Sequence, residues 1–411
     1  MAGTYKTISD GNIQTTRNTL NQLVDFVAED ISGSGDNLTR KKFEVFVTGG
    51  YRGPGVTSSL FQTVFDQNHT LQTSNELFDL TTGLFEGGAN SVVGLAKSGT
   101  DAKGKLLFPS TSCMMREKIS VYQQFAQLLL GDSTLQFSAP FSEGLEADKI
   151  ESALFMTFKR LFVRDGIKRE TFAMRFFRSA SMAGGLHGGT GQNIIKGTES
   201  GSVIFTDVGS AATIETSNAG GAVGNIVNAS ATDEKVGLLF YDYGIAVLDI
   251  NKILSGTQKM VGNINVVDDG GATTGLIEMG KAGGGNQHAK FIPDFMVSAS
   301  IDNILDHFAA FRFGSGSETF MTFQNNTLIN STLYFCRATA DEFNFSTNPT
   351  YTDASGDITV ITQPGVEKSF TFVTTVGLYN ANQELLAVAK VSRPIMKNDE
   401  KDLTFRVRLD F

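Results

Sequence analysis

The stretch that decides the fold is residues 370–411, FTFVTTVGLYNANQELLAVAKVSRPIMKNDEKDLTFRVRLDF. From Leu403 it alternates strictly. Leu403, Phe405, Val407, Leu409 and Phe411 face one way, and Thr404, Arg406, Arg408 and Asp410 face the other. A period of two marks a strand with one covered face and one wet face. Upstream, Phe370, Phe372, Val376 and Leu378 keep the same period. The polar run Asn380-Ala381-Asn382-Gln383 turns the chain, and 385–391 returns, which predicts a hairpin followed by a third strand. Phe411 falls on the covered face, so the expectation is a C-terminal β-sheet.

Working outward, the 411 residues hold 33 Phe and 44 Gly but no Trp and only 7 Pro. Phe fills a core without bringing a polar atom that needs a partner, and Gly allows tight turns and close backbone approach. Together they read as a β-rich chain with many turns. The formal charge of −9 argues against a general affinity for nucleic acid or an anionic membrane. Cys113 and Cys336 are far apart in sequence and read as two buried reduced thiols, with a long-range disulfide as the alternative. The opening Met1-Ala2-Gly3-Thr4-Tyr5-Lys6 lacks the apolar core of a signal peptide, and no run is long and apolar enough to span a bilayer. The expectation is synthesis in a reducing cytoplasm without membrane insertion.

The chain reads as α+β and β-rich, with an N-terminal mixed part, an antiparallel body and a C-terminal cap. About three amphipathic helices are expected in the first part, over 15–30, 115–130 and 146–163, from apolar residues at three- and four-residue spacing. Ser74-Asn75 caps a further short helix through Leu80, and another is expected over 301–310. Strands are expected at 43–47, 171–179, 203–205 and 333–337, with a hairpin over 236–249 turning at 241–244. The glycine-rich runs 87–104, 183–191, 220–224 and 268–285 read as loops or links. The expected domains are 1–165 (helical and mixed), 166–350 (glycine-rich β body) and 351–411 (β cap).

The order Val376-Gly377-Leu378-Tyr379-Asn380, a polar turn, then Leu385-Leu386-Ala387-Val388-Ala389-Lys390 resembles a hairpin module of tailed-phage virion proteins. There an aliphatic-Gly-Leu-Tyr strand pairs with a Leu-aliphatic-Ala-Val-Ala strand, in proteins of the baseplate and of tail-fibre attachment. The similarity is to structural proteins of T4-like, contractile-tailed phages of cyanobacteria, and it covers residues 376–390 alone. The 236–249 hairpin, VGLLFYDYGIAVLD, has the same grammar. The resemblance implies a non-enzymatic structural part of the virion tail, in the baseplate or neck. Its partners would be other tail proteins and copies of itself. The alternatives are a fibre-associated receptor-binding protein and a virion-borne polysaccharide-degrading enzyme.

Motifs for chemistry are not found. His69, His187, His288 and His307 are isolated from one another and from both cysteines, so no zinc spacing exists. Asp302, Asp306 and His307 cluster on one expected helix and read as a solvated group rather than a metal site. There is no phosphate-binding loop and no Gly-x-Ser-x-Gly elbow. No cofactor and no enzymatic activity are expected. One charge cluster stands out: Lys159, Arg160, Arg164, Lys168, Arg169, Arg175 and Arg178 against Asp165 and Glu170. It is read as solvated faces, as a contact with an acidic neighbouring subunit or, third, as a nucleic-acid contact. These seven cations, with Leu403, Phe405, Val407, Leu409 and Phe411, are the candidate interface residues.

Overall fold

A computed structural model describes residues 5–32, 39–47, 56–86, 91–92, 108–109, 113–143, 145, 148–178, 202–254, 300–314, 317–346, 348–361, 366 and 368–410. The chain begins with β1 (Ile13–Val27), α1 (Ala28–Ser32), β2 (Arg40–Val47), β3 (Val56–Phe65), β4 (Glu76–Leu84) and the short β5 (Ser91–Val92) and β6 (Phe108–Pro109). Next come α2 (Cys113–Leu130), β7 (Ser152–Phe158), α3 (Arg160–Val163), β8 (Gly166–Ile167) and β9 (Ala173–Phe177). After these follow β10 (Ser202–Thr206), β11 (Glu215–Ser217), β12 (Gly221–Asn228), β13 (Ala231–Phe240), β14 (Ile245–Asp249) and α4 (Ile250–Ile253). The last are α5 (Ile301–Phe311), β15 (Thr319–Ala338), β16 (Phe370–Tyr379), β17 (Leu385–Asn398) and β18 (Leu403–Asp410). The chain is β-rich, and its sheets are antiparallel apart from the β5–β6 pair.

The chain divides into two compact units, residues 21–327 and residues 1–20 with 328–411. The expected boundaries at 165 and 350 do not coincide with this division. Residue 165 falls inside one sheet, because β7 and β9 belong to the same strand order.

In the larger unit the order runs β2–β3–β4–β7–β14–β13–β12–β10–β9–β15–β1. Between β4 and β14 lies β7, whose residues are all buried except Thr157, which is half-buried. Both faces are covered. On one, Phe158 stacks on Phe26 of β1 at 5.9 Å and meets Phe323 of β15 at 5.1 Å. Phe78, the cross-strand partner of Phe158, meets Phe320, which passes the aromatic chain to Phe313, Phe176 and Phe205. On the other face, Phe155 stacks on Phe125 of α2 at 4.1 Å, and Tyr122 bridges to Phe137. The abundance of Phe is thereby explained: the rings form two interdigitated layers either side of one sheet.

Helix α2 is seated by a gap in the side chains beneath it. Gly83 pairs with Ala153 across β4 and β7. A Cβ at Gly83 would lie 2.9 Å from the Tyr122 amide nitrogen and 3.0 Å from the Lys118 carbonyl oxygen. Tyr122 then donates its hydroxyl hydrogen to the Ile150 carbonyl at 2.7 Å and accepts from the Phe137 N–H at 3.0 Å. Helix α5 lies over β3 and β4. It is fixed at one end by Arg312, fully buried, which donates to the carbonyls of Phe177 and Arg178.

Several expectations are corrected. The 15–30 segment is β1 followed by the short α1; of the expected helical stripe Leu20, Leu23, Val24, Val27 and Ile31, the first two are 58% and 61% exposed, while Val24 and Ile31 are buried. The 146–163 segment is β7 followed by the single turn α3, and the 74–80 segment lies in β4. In β7 an apolar run satisfies helical spacing and strand burial alike, and burial on two faces won, whereas β1 is a largely exposed strand whose leucines fell at helical spacing without being covered. Of the three helices expected in the first part, only 115–130 is a long helix among the described residues. Gly221 and Gly224 open β12 rather than linking strands. The strands expected at 43–47, 171–179 and 203–205, the 236–249 hairpin and the 301–310 helix are present with small shifts of boundary, and the strand expected at 333–337 is the end of the much longer β15. The runs 87–104, 183–191 and 268–285 fall wholly or mostly outside the described residues.

In the smaller unit, β18 pairs along its whole length with β15, Leu403 opposite Ala338 through Asp410 opposite Ser331. Strands β16 and β17 form a separate two-stranded ribbon. The expected third strand of the hairpin therefore leaves the ribbon and joins the strand that carries Cys336.

Gly83→Ala is expected to cost about 1–3 kcal/mol, the range for overpacking a tight contact. Urea denaturation of the purified protein measures it, and an unchanged midpoint would mean that α2 is not seated on β4.

Candidate interaction surface

The ribbon β16–β17 is where sequence pattern and exposure part company. Its inner positions are covered: Leu378 is buried, and Val373, Val376, Ala387, Ala389, Val391 and Ile395 are half-buried. Its outer positions are also apolar, yet they are open. Phe372 is 56% exposed, Leu385 53%, Leu386 67% and Val388 52%. A two-stranded ribbon alone is marginal in water, so apolar side chains on its open face are a cost unless something covers them.

The ribbon's tip is firmly built. Asn380 Oδ1 accepts from the backbone N–H of Asn382 at 2.9 Å and of Glu384 at 2.8 Å, while Asn380 Nδ2 donates to the Glu384 carboxylate at 2.7 Å. Gln383 holds a left-handed φ of 66°. The register slips between Leu378 and Tyr379, so Leu378 pairs with Ala387 and Tyr379 with Leu385. Leu386 is the extra residue of this bulge, which is why two adjacent leucines both reach solvent. Tyr379 and Leu385 lie over Gly377, where a Cβ would come within 2.9 Å of the tyrosine ring.

The predicted interface residues are placed differently. Val407 is buried, and Leu403, Phe405 and Leu409 are half-buried; Phe411 lies outside the described residues. Their alternation is as expected, with Thr404, Arg406, Arg408 and Asp410 exposed. The seven cations do not form one open patch. Lys159 binds Asp79 at 2.7 Å and Glu76 at 3.0 Å, Arg160 binds Asp165, Arg175 binds Glu318, and Arg178 binds Glu234 at 2.8 Å. Arg169 donates to the carbonyls of Ser210 and Val223 and lies over the Tyr241 ring. Lys168 donates to Gln324, and Arg164 is exposed.

The remaining polar clusters are internal joints. Asp302 and Asp306 accept from the side-chain amide of Gln62, which is fully buried, at 3.0 Å each, and Lys42 bridges both carboxylates at 3.0 and 2.7 Å. An ammonium thus stands where a cation would be sought. Asp207 accepts from the Tyr241 hydroxyl at 2.8 Å and from the N–H groups of Glu170 and Phe172. Burial raises the Asp207 carboxyl above its ordinary range, and these donors oppose the rise. Among the described residues no group of three or more His, Cys, Asp or Glu could hold a metal. His69 packs near Phe65, while His187 and His288 lie outside the described residues.

No protein-family model, curated protein or solved structure matches this chain.

Two tests follow from these joints. Tyr241→Phe is expected to destabilise the protein by about 1–3 kcal/mol, because it removes a donor to a buried carboxylate; chemical denaturation measures the loss. Asp30 in α1 is pushed up to about 6, first by burial, with Asp66 and Glu29 adding to it and the Val27 N–H opposing. An acid whose pKa is raised on folding favours the protonated native state. Its contribution is present below the unfolded pKa of 3.8 and is lost as pH rises through about 6. Asp30→Asn should therefore gain stability over the wild type at neutral pH and show little gain near pH ~4. Thermal melts across that range give the comparison, and a gain independent of pH would contradict the assignment.

Proposed function

We propose that this chain is a non-enzymatic structural component of a bacteriophage virion, in the tail baseplate or neck, acting through subunit–subunit interfaces. The observation that carries the reading is the open apolar face of the β16–β17 ribbon. Phe372, Leu385, Leu386 and Val388 are each more than half exposed on a ribbon too small to be stable through its own pairing. Covering such side chains is worth about 1.5–3 kcal/mol each when burial is complete. A partner surface is the economical way to obtain that.

The resemblance of residues 376–390 to a virion hairpin falls on this same ribbon. Both lines of support therefore point to one place. In this reading the partners are other tail proteins and copies of the chain, and the protein resides in the virion after synthesis in the host cytoplasm.

Leu386→Glu tests the proposal, since the side chain is open and its replacement leaves the fold untouched. Particles produced with the variant should lack this chain on immunoblots of purified virions, while the isolated variant melts like the wild type. Incorporation at the wild-type level would overturn the proposal.

A further inference from the structure

The smaller unit has little core to hold it together. Among its described residues the buried apolar side chains are Ala338, Leu378 and Val407 alone. A unit of this size with so thin a core needs some other tie. Its most deeply buried side chain among those residues is polar: Lys397 of β17, with no exposed surface. Lys397 Nζ donates to three neutral oxygens, Asn344 Oδ1 at 2.6 Å, the Asn398 carbonyl at 2.7 Å and the Ala340 carbonyl at 3.2 Å.

The half-buried Asn344 amide is set for more than a hydrogen bond. Its Cγ lies one bond beyond Oδ1, so a small rotation of the amide brings the carbonyl carbon against Nζ. Its Nδ2 donates to the Ala340 carbonyl at 2.6 Å. The nitrogen that would attack and the nitrogen that would leave therefore share one acceptor, and a proton has a short path between them.

We propose that Lys397 and Asn344 join in an intramolecular isopeptide bond with loss of ammonia. A buried lysine stripped of water is a nucleophile. The ammonium first gives up a proton, and the freed lone pair adds to Asn344 Cγ. A second proton moves from the attacking nitrogen to Nδ2, the Cγ–Nδ2 bond breaks as the carbonyl re-forms, and ammonia departs, taking up the first proton as ammonium. One C–N bond forms, one breaks, and nothing is oxidised or reduced. Asp341 relays the first proton to water. Glu342, the other carboxylate of this loop, is bound by Lys6. The exposed Asp341 carboxyl is held below its ordinary range, first by the Thr339 side chain and its own N–H, and the charges of Lys6 and Lys397 add to this. Lys397 and Asp341 are thus within electrostatic reach of each other. The bond ties β17, near the base of the ribbon, to the loop after β15 and closes a loop that contains all of β16. A covalent closure of that length restricts the unfolded chain and offsets the thin core. It forms whatever the open face of the ribbon meets, so it does not depend on the interface reading above.

Intact-mass spectrometry of the purified full chain is the test. The wild type should fall short of its sequence mass by one molecule of ammonia, and the deficit should be absent from Lys397→Arg and from Asn344→Ala. A trypsin digest of the wild type should contain a branched peptide of residues 338–368 and 391–401, because an acylated Lys397 resists the protease and Arg393 precedes Pro394. The branch distinguishes the cross-link from a cyclised asparagine, which also loses ammonia. Wild-type protein of full sequence mass, with 391–397 and 398–401 recovered as separate peptides, would overturn the proposal even if both variants fail to fold. An ammonia deficit that persists in Lys397→Arg would overturn it too. Asp341→Asn should show a smaller linked fraction at a fixed time after synthesis, and an unchanged fraction would remove Asp341 from the step.

Discussion

A strand covered on both faces has no wet side on which to place polar residues, and β7 imposes this constraint on everything around it. Ser152–Phe158 must be apolar or satisfied at each position, and each face must find its own cover. One face takes α2, through Phe155 and Phe125; the other takes the aromatic layer reached from Phe158 to Phe26 and Phe323. The neighbouring strands inherit the demand. β14 is buried throughout, and β4 is buried from Leu77 onward except at Asp79, the acceptor for Lys159. The single long helix among the described residues is therefore part of the core rather than an addition to it.

Seating that helix requires the backbone to come close, which is where the glycines matter. Gly83 opposite Ala153 removes the side chains that would hold α2 away, and Tyr122 closes the contact by bonding to Ile150 and Phe137. Gly224 serves a related purpose, lying directly against the Tyr241 hydroxyl, where a Cβ could not fit. That hydroxyl reaches Asp207, and Arg169 lies over the same ring. Phe and Gly thus act as one device: large rings fill two layers, and missing side chains let the layers meet.

The legible parts of the fold were those where one face is wet. β18 alternates because one of its faces is covered and the other is open, and α2 and α5 show clean helical stripes. The misread parts are those covered twice or hardly at all. Around β7, Ile150, Leu154 and Phe158 fall at helical spacing, but residues 153–156 are all apolar, which fits a strand buried on both faces equally well. In β1 the apparent stripe includes Leu20 and Leu23, which are exposed, while the buried positions are Val24 and Phe26, two apart. The candidate surface was half legible. Its hairpin could be read from the turn residues, but exposure depends on what lies against each face, and that is set by chain segments far away in sequence.

The two hairpins with a shared grammar show this most directly. Val236-Gly237-Leu238 and Val376-Gly377-Leu378 each lead through a tyrosine, Tyr241 or Tyr379, to a turn and an aliphatic return strand. In the first, Gly237 faces the backbone of Val247 and Leu248, and the paired ends of β13 and β14 are buried, with β7 and β12 alongside. In the second, Gly377 lies nearest the Tyr379 ring and Leu385 of its own ribbon, and no further strand pairs with β16 or β17 among the described residues. The same pattern that is completed by neighbouring strands at 236–249 is left open at 370–398. A β-hairpin carrying core-type residues on its outer face behaves as one half of a sandwich, and the other half has to come from a surface outside the ribbon.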